Sequence, residues 1–212
     1  MAKYYPIYMD IENKPVLVVG GGNVALRKVK TLLEYGAIVR IISPKLVPEL
    51  EQLLDGVRCV WVPKKYSTED IQDAILVFAC TERDEVNAQI ARDAKTNYRP
   101  INVVDDPDKC SFIVPSILSR GDLSIAVSTG GSSPLVARKI REELEAVYTD
   151  EMEIYLDLLR SWRQEVKVKL PVAKRAQFWN QVTDGKVLQL IKEGRIEQAK
   201  EVMVNCFRSL LA

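Results

Sequence analysis

The apolar residues of the first hundred or so positions fall in short runs that alternate with stretches of helical periodicity. The runs predict buried strands at Pro15–Val19, Ala37–Ile42, Arg58–Val62, Ala74–Ala79 and Ile101–Val104. The stretches between them predict helices at Val24–Tyr35, Leu46–Leu54 and Asp84 to about Lys95, with a short helix near Thr68–Asp73. Such alternation is typical of an α/β fold, in which helices cover both faces of a parallel sheet.

The pattern changes after Asp106. Two apolar runs, Phe112–Leu118 and Leu123–Thr129, flank a polar turn and predict an antiparallel hairpin. Ser133 and Pro134 are a good N-cap and first helical residue, so a helix is expected from Pro134 to about Val147. A hairpin and one helix are too small to form a core alone, so they need the first domain or a second copy of the chain. The remainder, from Thr149, has helical spacing throughout.

Composition and charge narrow the function classes. The chain has 212 residues, with 30 basic against 29 acidic side chains, a balance that does not suggest nucleic-acid binding. We find neither an apolar run of ~18 residues, as a membrane span needs, nor a signal peptide, so we expect a cytosolic protein. Histidine is absent, which excludes serine–histidine and cysteine–histidine hydrolases. The four cysteines form no C-x-x-C pair, so we predict no metal site and interpret them as free buried thiols.

The first strand and helix are joined by the glycine turn Gly20-x-Gly22-x-x-Ala25. Gly20 permits a tight turn, Gly22 leaves room for a phosphate beside the backbone, and Ala25 allows close packing of the helix. The helix N-terminus adds free N–H groups and a positive dipole end. The turn therefore predicts a dinucleotide site, and the alternative is a structural glycine turn.

In parallel sheets ligands bind beyond the carboxyl ends of the strands, so the residues that follow strands are the candidates for chemistry. The second strand is followed by Pro44 and Lys45, where many NAD sites have an acidic residue. The Lys45 side chain could bind the 2′-phosphate of NADP or simply be solvated. The residues alone therefore do not decide between NAD and NADP. After the fifth strand, the adjacent Asp105 and Asp106 suit a base or positioning group, since like charges raise one pKa. Two aspartates followed by a proline are equally typical of a turn.

A second candidate anion site lies at Ser128–Ser133, where hydroxyls precede a helix N-terminus. Three basic residues on the next helix, Arg138, Lys139 and Arg141, favour an anionic ligand. An ordinary capped helix with a solvated basic face would have the same sequence.

Four motifs in order resemble the precorrin-2 dehydrogenase family, the siroheme-synthase module that oxidises precorrin-2 to sirohydrochlorin. They are Gly20-Gly-Gly-Asn-Val-Ala-x-Arg27-Lys28, Asn102-Val-Val-Asp105, Ser111-Phe-Ile-x-Pro115-Ser116-Ile and Val127-Ser-Thr-Gly-Gly-Ser-Ser-Pro134. The resemblance covers almost the whole chain. It implies an NAD-binding Rossmann domain at 1–112, a dimerisation segment at 113–147 and a small helical domain at 148–212. It also implies a homodimer that uses NAD.

The resemblance carries residue roles onto this sequence. The cofactor set comprises Gly20, Gly22, Asn23, Val24, Ala25, Pro44, Lys45 and Thr81, with Asn23 and Val24 against the phosphates and Pro44 and Lys45 near the adenosine. Asp105 is the implied catalytic aspartate, as base or positioning group, whereas relatives often carry a small residue in place of Asp106. The family's substrate bears eight carboxylates, so we expect its site to include Ser111, Arg120, Thr129, Gly130, Ser132 and Arg138.

Two other functions compete with the dehydrogenase. Some relatives also insert Fe²⁺ into sirohydrochlorin, for which a carboxylate such as Asp105 could accept the pyrrole protons. A dinucleotide-sensing module without catalysis would need the glycine turn but neither the Asn102–Asp105 nor the Ser128–Pro134 motif.

Overall fold

The computed structural model describes residues 4–211, and it divides the chain into two compact units. The sheet unit ends at Val114, and the helical unit begins at Pro115. We describe each unit by itself. The predicted boundary between a dimerisation segment and a helical domain, at residues 147 and 148, stays a prediction.

The sheet unit is a five-stranded parallel sheet in the order β3-β2-β1-β4-β5. Its strands are β1 (Pro15–Val19), β2 (Ile38–Ile42), β3 (Cys59–Val62), β4 (Leu76–Ala79) and β5 (Ile101–Val103). The helices between them are α1 (Asn23–Glu34), α2 (Pro48–Glu51) and α3 (Asp84–Thr96), with short 3₁₀ helices at Thr68–Ile71 and Pro107–Lys109. The strand order reverses between β1 and β4, which is where parallel sheets bind ligands. The predicted α/β class is confirmed.

Alternation along the strands gives the sheet two buried faces. Val16 and Val18 of β1 pack with α1, whose Ala25 and Val29 are fully buried. The intervening Leu17 points to the opposite face, where α3 covers the sheet. Burial on both faces explains why the strands are continuous apolar runs in the sequence.

Helix α2 is shorter than the predicted Leu46–Leu54. The amide of Val47 donates to the carbonyl of Gly21 (2.8 Å), and Val47 has an extended backbone as the N-cap of α2, so the helix begins at Pro48. At the other end, the amides of Leu53 and Leu54 donate to carbonyls only three residues back, at 3.2 Å each. These tight turns end the helix after one turn.

The helical unit begins with the hairpin of β6 (Ser116–Arg120) and β7 (Leu123–Val127), which is antiparallel as predicted. Gly121 has a φ of 53° in the two-residue turn. The first strand starts later than the predicted Phe112, because Phe112 belongs to the sheet unit, where its ring packs edge-to-face on Phe78.

Five helices follow the hairpin: α4 (Pro134–Val147), α5 (Glu151–Lys169), α6 (Val172–Val182), α7 (Lys186–Lys192) and α8 (Ile196–Leu211). Helix α4 packs on the hairpin, and the other four share a core around Phe178, which contacts Trp162, Trp179 and Phe207. Within residues 4–211, no helix is long and apolar enough to cross a membrane.

Candidate functional site

The glycine turn joins β1 to α1 at the switch point of the sheet. Gly20 has a φ of 128°, and a Cβ there would lie 2.3 Å from the carbonyl oxygen of Cys80 at the end of β4. Gly22 is the N-cap of α1, and no side chain caps this end of the helix. The N–H groups of the first turn are therefore left without a side-chain acceptor. A Cβ on Gly22 would meet no atom within 4 Å. The space in front of the helix is therefore open.

Gly21, which lies outside the predicted motif, is the most tightly enclosed of the three glycines. A Cβ at this position would lie 2.0 Å from the carbonyl oxygen of Lys45 and 2.7 Å from the hydroxyl of Ser43. Sequence reasoning missed it because the motif requires only the first and third glycines. The run of three consecutive glycines was the available signal.

The loop after β2 is held against the glycine turn by internal bonds. The buried Ser43 donates its hydroxyl to the carbonyl of Lys45 (2.6 Å), and Trp61 Nε1 donates to the carbonyl of Ser43 (2.9 Å). Pro44 and the Lys45 side chain are exposed beside it. The structure thus brings both predicted adenosine contacts next to Gly21.

The loop after β4 is fixed by a buried asparagine. Asn87 donates its Nδ2 to the carbonyl of Thr81 (2.9 Å), and its Oδ1 accepts from the hydroxyl of Thr81 (2.7 Å). The Oδ1 also accepts from the amide of Thr81 (3.3 Å). These three hydrogen bonds hold Thr81 in place. Thr81 directly follows Cys80, the residue that lies against Gly20. Nothing in the sequence pattern singled out Asn87, since its partner lies six residues away.

Together these loops fit a dinucleotide. Uncapped N–H groups at Gly22–Ala25 and open space before them suit a pyrophosphate. The loop at Pro44 and Lys45 lies on one side of the turn, and the loop at Thr81 lies on the other, as a cofactor extended across the switch point requires. The residues present suit the predicted cofactor.

The two aspartates after β5 have different environments. Asp106 accepts from the amide of Lys109 (3.3 Å) and forms an ion pair with the same lysine. Lys109 thereby lowers the pKa of Asp106, so Asp106 is not the member of the pair whose pKa a like charge raises. Asp106 thus serves the turn, whereas Asp105 is exposed and holds a left-handed backbone at φ 59°. Such a conformation is uncommon for residues other than glycine, and it clusters at functional sites.

Asp105 belongs to the same edge of the sheet as the glycine turn. The preceding residue, Val104, donates its amide to the carbonyl of Ala79 at the end of β4 (3.0 Å). Thr81 lies two residues beyond Ala79 in the chain. The carboxyl ends of β1, β4 and β5 are neighbours, so Asp105 lies at the end of the sheet where parallel sheets bind ligands.

Two cysteines beneath this edge, Cys80 and Cys110, are not poised for nucleophilic chemistry. Burial raises the pKa of Cys80 to about 12 and also raises that of Cys110, so both thiols stay protonated at neutral pH. Only Cys59 and Cys80 are fully buried, whereas Cys110 and Cys206 are partly exposed. Lys28 of α1 lies over the ring of Phe78, 5.7 Å from its centroid, and burial lowers its pKa.

The predicted substrate residue Ser111 lies beside the start of β5. Its hydroxyl accepts from the amide of Ile101 (2.8 Å), and its own amide donates to the Ile101 carbonyl (2.9 Å). Ile101 begins the strand whose other end leads to Asp105. The structure does not bring Ser111 together with Asp105.

The other predicted substrate residues belong to the helical unit, and several are already engaged. Arg120 forms an ion pair with Asp150 (Nε–Oδ1 3.0 Å), and Arg138 forms one with Glu142 (2.8 Å). The hydroxyl of Thr129 accepts from the amide of Ser133 and donates to its carbonyl, at 3.0 Å each.

The loop before α4 is an ordinary N-terminal cap with open space beside it. Ser133 accepts from the amide of Val136 (3.3 Å), which confirms it as the N-cap. The amide of Ser132 donates to the carbonyl of Thr129 (3.1 Å). Gly130 and Gly131 hold φ angles of 63° and 91°, and a Cβ on either would meet nothing within 4 Å.

Three families match successive parts of this chain. Residues 7–116 match a family described as "Putative NAD(P)-binding". Residues 120–146 match the sirohaem biosynthesis protein central region, and residues 156–205 match the sirohaem synthase dimerisation region. The first match, over about half of the chain, confirms the prediction of a nicotinamide dinucleotide site.

Curated relatives are siroheme synthases. The chain is 41% identical over 199 residues to those of Mannheimia succiniciproducens and Actinobacillus succinogenes, and 38% identical over 199 residues to that of Neisseria meningitidis serogroup C. Each alignment covers 93% of this chain but 42% of the relative. The chain therefore spans less than half the length of the relatives that it matches.

A solved structure titled "SirC, precorrin-2 dehydrogenase" has the same fold, with a TM-score of 0.77. The superposition covers 97% of this chain and 100% of that one, at 24% sequence identity. At this identity the match supports the fold.

Proposed function

We propose, because this chain belongs to the family described as "Putative NAD(P)-binding" and is similar to siroheme synthases, that it oxidises precorrin-2 to sirohydrochlorin with NAD as hydride acceptor. The observation that carries the proposal is the order of the three family matches along one chain, which is 41% identical over 93% of its length to a siroheme synthase. A dinucleotide-sensing module would have no need of the two later regions.

The proposed roles follow from the edge of the sheet. The uncapped N–H groups at Gly22–Ala25 bind the pyrophosphate, and Pro44, Lys45 and Thr81 line the two sides of the cofactor. When bound, NAD serves as the hydride acceptor, and hydride transfer is the difficult step of the oxidation. The second hydrogen leaves as a proton, and Asp105 accepts it or orients the substrate for that loss. The remaining predicted residues, Ser111, Arg120, Thr129, Gly130, Ser132 and Arg138, keep their substrate role as part of this proposal.

The proposal includes a homodimer and a cytosolic location. The match to a dimerisation region supports the homodimer. So does helix α4, on which Val136, Ile140 and Val147 are exposed on one face, spaced four and seven residues apart.

An anaerobic assay of precorrin-2 tests this function. The full chain is incubated with precorrin-2 and NAD⁺, NADP⁺ or neither, with and without Fe²⁺, and the tetrapyrrole and NADH spectra are followed. NADH formation that matches sirohydrochlorin formation is expected with NAD⁺. Insertion of Fe²⁺ into separately added sirohydrochlorin without any dinucleotide, together with no NADH formed from precorrin-2, would replace the dehydrogenase by a ferrochelatase. Dinucleotide binding without turnover would favour a sensing module.

A further inference from the structure

The helical unit contains a cleft of about 850 Å³ to which no role has been assigned above. It lies between the hairpin, α5 and α6. Its floor is apolar, with Leu123 from β7, Leu159 from α5 and Trp179 from α6. The volume is within the range of about 300–1,000 Å³ that is usual for small-molecule sites.

Basic side chains predominate around this cleft. Arg160, Arg163 and Lys167 come from α5 and Arg175 from α6, whereas Asp122 is the single acidic residue among those that line it. Arg160 forms ion pairs with Asp122 and Asp157. The lining thus keeps an excess of positive charge.

Two of these cations are available for a ligand. Within residues 4–211, neither Arg163 nor Lys167 forms an ion pair, and both are exposed. They are four residues apart on α5, so they lie on the same face of the helix as Arg160. From Arg160 to Lys167 this row spans roughly 10 Å, at about 1.5 Å of rise per residue.

A row of separated cations over an apolar floor selects a particular ligand chemistry. A single phosphate would engage one or two of them and leave the apolar floor unused. A flat apolar ring with several carboxylates on its rim would use both features, because the ring covers Leu123, Leu159 and Trp179 while the carboxylates reach the cations.

We propose that this cleft binds the carboxylate-bearing rim and one face of a tetrapyrrole. The identity of the ligand rests on the proposed function, in which the substrate and the product carry the same carboxylates. Arg120 and Arg138, the cations predicted for this task, already have carboxylate partners in Asp150 and Glu142. Arg163 and Lys167, which form no ion pair within residues 4–211, add to the positive charge that Arg120 and Arg138 offer the substrate.

Direct binding of uroporphyrin, a stable fluorescent porphyrin with eight carboxylates, tests the cleft without any turnover. The double variant Arg163→Glu, Lys167→Glu is expected to bind it at least tenfold more weakly than the unaltered chain. The affinity of the unaltered chain should fall steeply as salt is raised, because exposed charges are screened. The matched control Lys186→Glu, Arg208→Glu makes the same change in net charge at exposed positions outside the cleft, and should bind like the unaltered chain.

The same variants separate this inference from the proposed function. With precorrin-2 and NAD⁺, the cleft variant is expected to raise the KM for precorrin-2 while leaving the KM for NAD⁺ unchanged. If the unaltered chain forms NADH from precorrin-2 but the cleft variant keeps its KM and its uroporphyrin affinity, the cleft inference alone fails.

Light scattering addresses the other possible occupant, a second copy of the chain, since the cleft lies largely within the matched dimerisation region. Affinities are compared at concentrations where all variants have the same oligomeric state. Unchanged uroporphyrin affinity together with loss of the dimer would assign the cleft to a subunit contact and overturn the proposal.

Discussion

Asp105 and Asp106 carry the same carboxylate, yet the backbone gives them different tasks. Asp106 caps the 3₁₀ helix that follows and pairs with Lys109, so its charge is used locally. Asp105 makes the left-handed turn that redirects the chain and leaves its side chain exposed. The sequence alone could not separate the two, because Asp-Asp-Pro suits either a turn or a base.

Replacing Asp105 separates its proposed catalytic role from its backbone strain. Asp105→Gly is expected to leave the free energy of unfolding unchanged or raise it by up to about 1 kcal/mol, since glycine adopts positive φ freely. Its precorrin-2 turnover should fall by about 10²–10⁴-fold, the usual contribution of a positioned base. Chemical denaturation and anaerobic kinetics measure the two effects. Asp105→Asn, which tolerates the same φ, should lose activity equally, and full activity in this variant would remove the carboxylate from the mechanism.

Gly21 and Gly22 offer a matched pair with opposite outcomes. Gly21→Ala places a Cβ 2.0 Å from the Lys45 carbonyl, so about 1–3 kcal/mol of unfolding free energy should be lost. Gly22→Ala meets only open space and should change the unfolding free energy by less than about 1 kcal/mol. Its Cβ would enter the space assigned to the pyrophosphate, so calorimetry should show weaker NAD binding. Normal NAD affinity in Gly22→Ala would place the pyrophosphate elsewhere.

At the scale of elements, the sequence correctly predicted the helices, strands and turns that depend on residues close together in the chain. The strand, glycine turn and helix from Pro15 to Glu34 were recoverable, because apolar runs, turn residues and helical spacing are local signals. Helix α2 was predicted too long, because Val47 bonds to Gly21, a contact between distant segments. The predicted start of the first hairpin strand, at Phe112, was too early for the same reason, since Phe112 packs on Phe78 in the sheet unit.

The loop after β4 depends on such a distant contact, and Asn87 tests it. Asn87→Ala removes the side chain that bonds both the amide and the carbonyl of Thr81, which should cost about 1–3 kcal/mol of unfolding free energy. The loosened loop should also raise the KM for NAD⁺. Asn97→Ala removes one exposed hydrogen bond, to the carbonyl of Asp93 at the end of α3, so it should cost less unfolding free energy than Asn87→Ala and leave that KM unchanged. An equal KM effect in both variants would show that Thr81 does not line the cofactor.

At the scale of the molecule, the cofactor site and the substrate site differ in how far the sequence could define them. The predicted cofactor residues follow three neighbouring strands of one sheet, β2, β1 and β4. The strand order alone therefore brings Gly20, Lys45 and Thr81 to the same end of the sheet. The residues predicted for the substrate belong to different units of the chain, and motif positions cannot tell which cations have partners. Arg138 is engaged by Glu142, whereas Arg163, which no motif contains, has no ion pair within residues 4–211.

The proposed homodimer should depend on the exposed face of α4. Val136 and Ile140 lie one turn apart on this helix, and both are exposed in the single chain. The double variant Val136→Glu, Ile140→Glu should keep its helical content, since neither residue belongs to the core. It should shift light-scattering mass toward a single chain, because two carboxylates would be buried unpaired in the contact. Val57→Glu, at an exposed loop position of the sheet unit, is the control and should stay dimeric. A dimer that survives the α4 variant would show that the subunit contact does not depend on this face of α4.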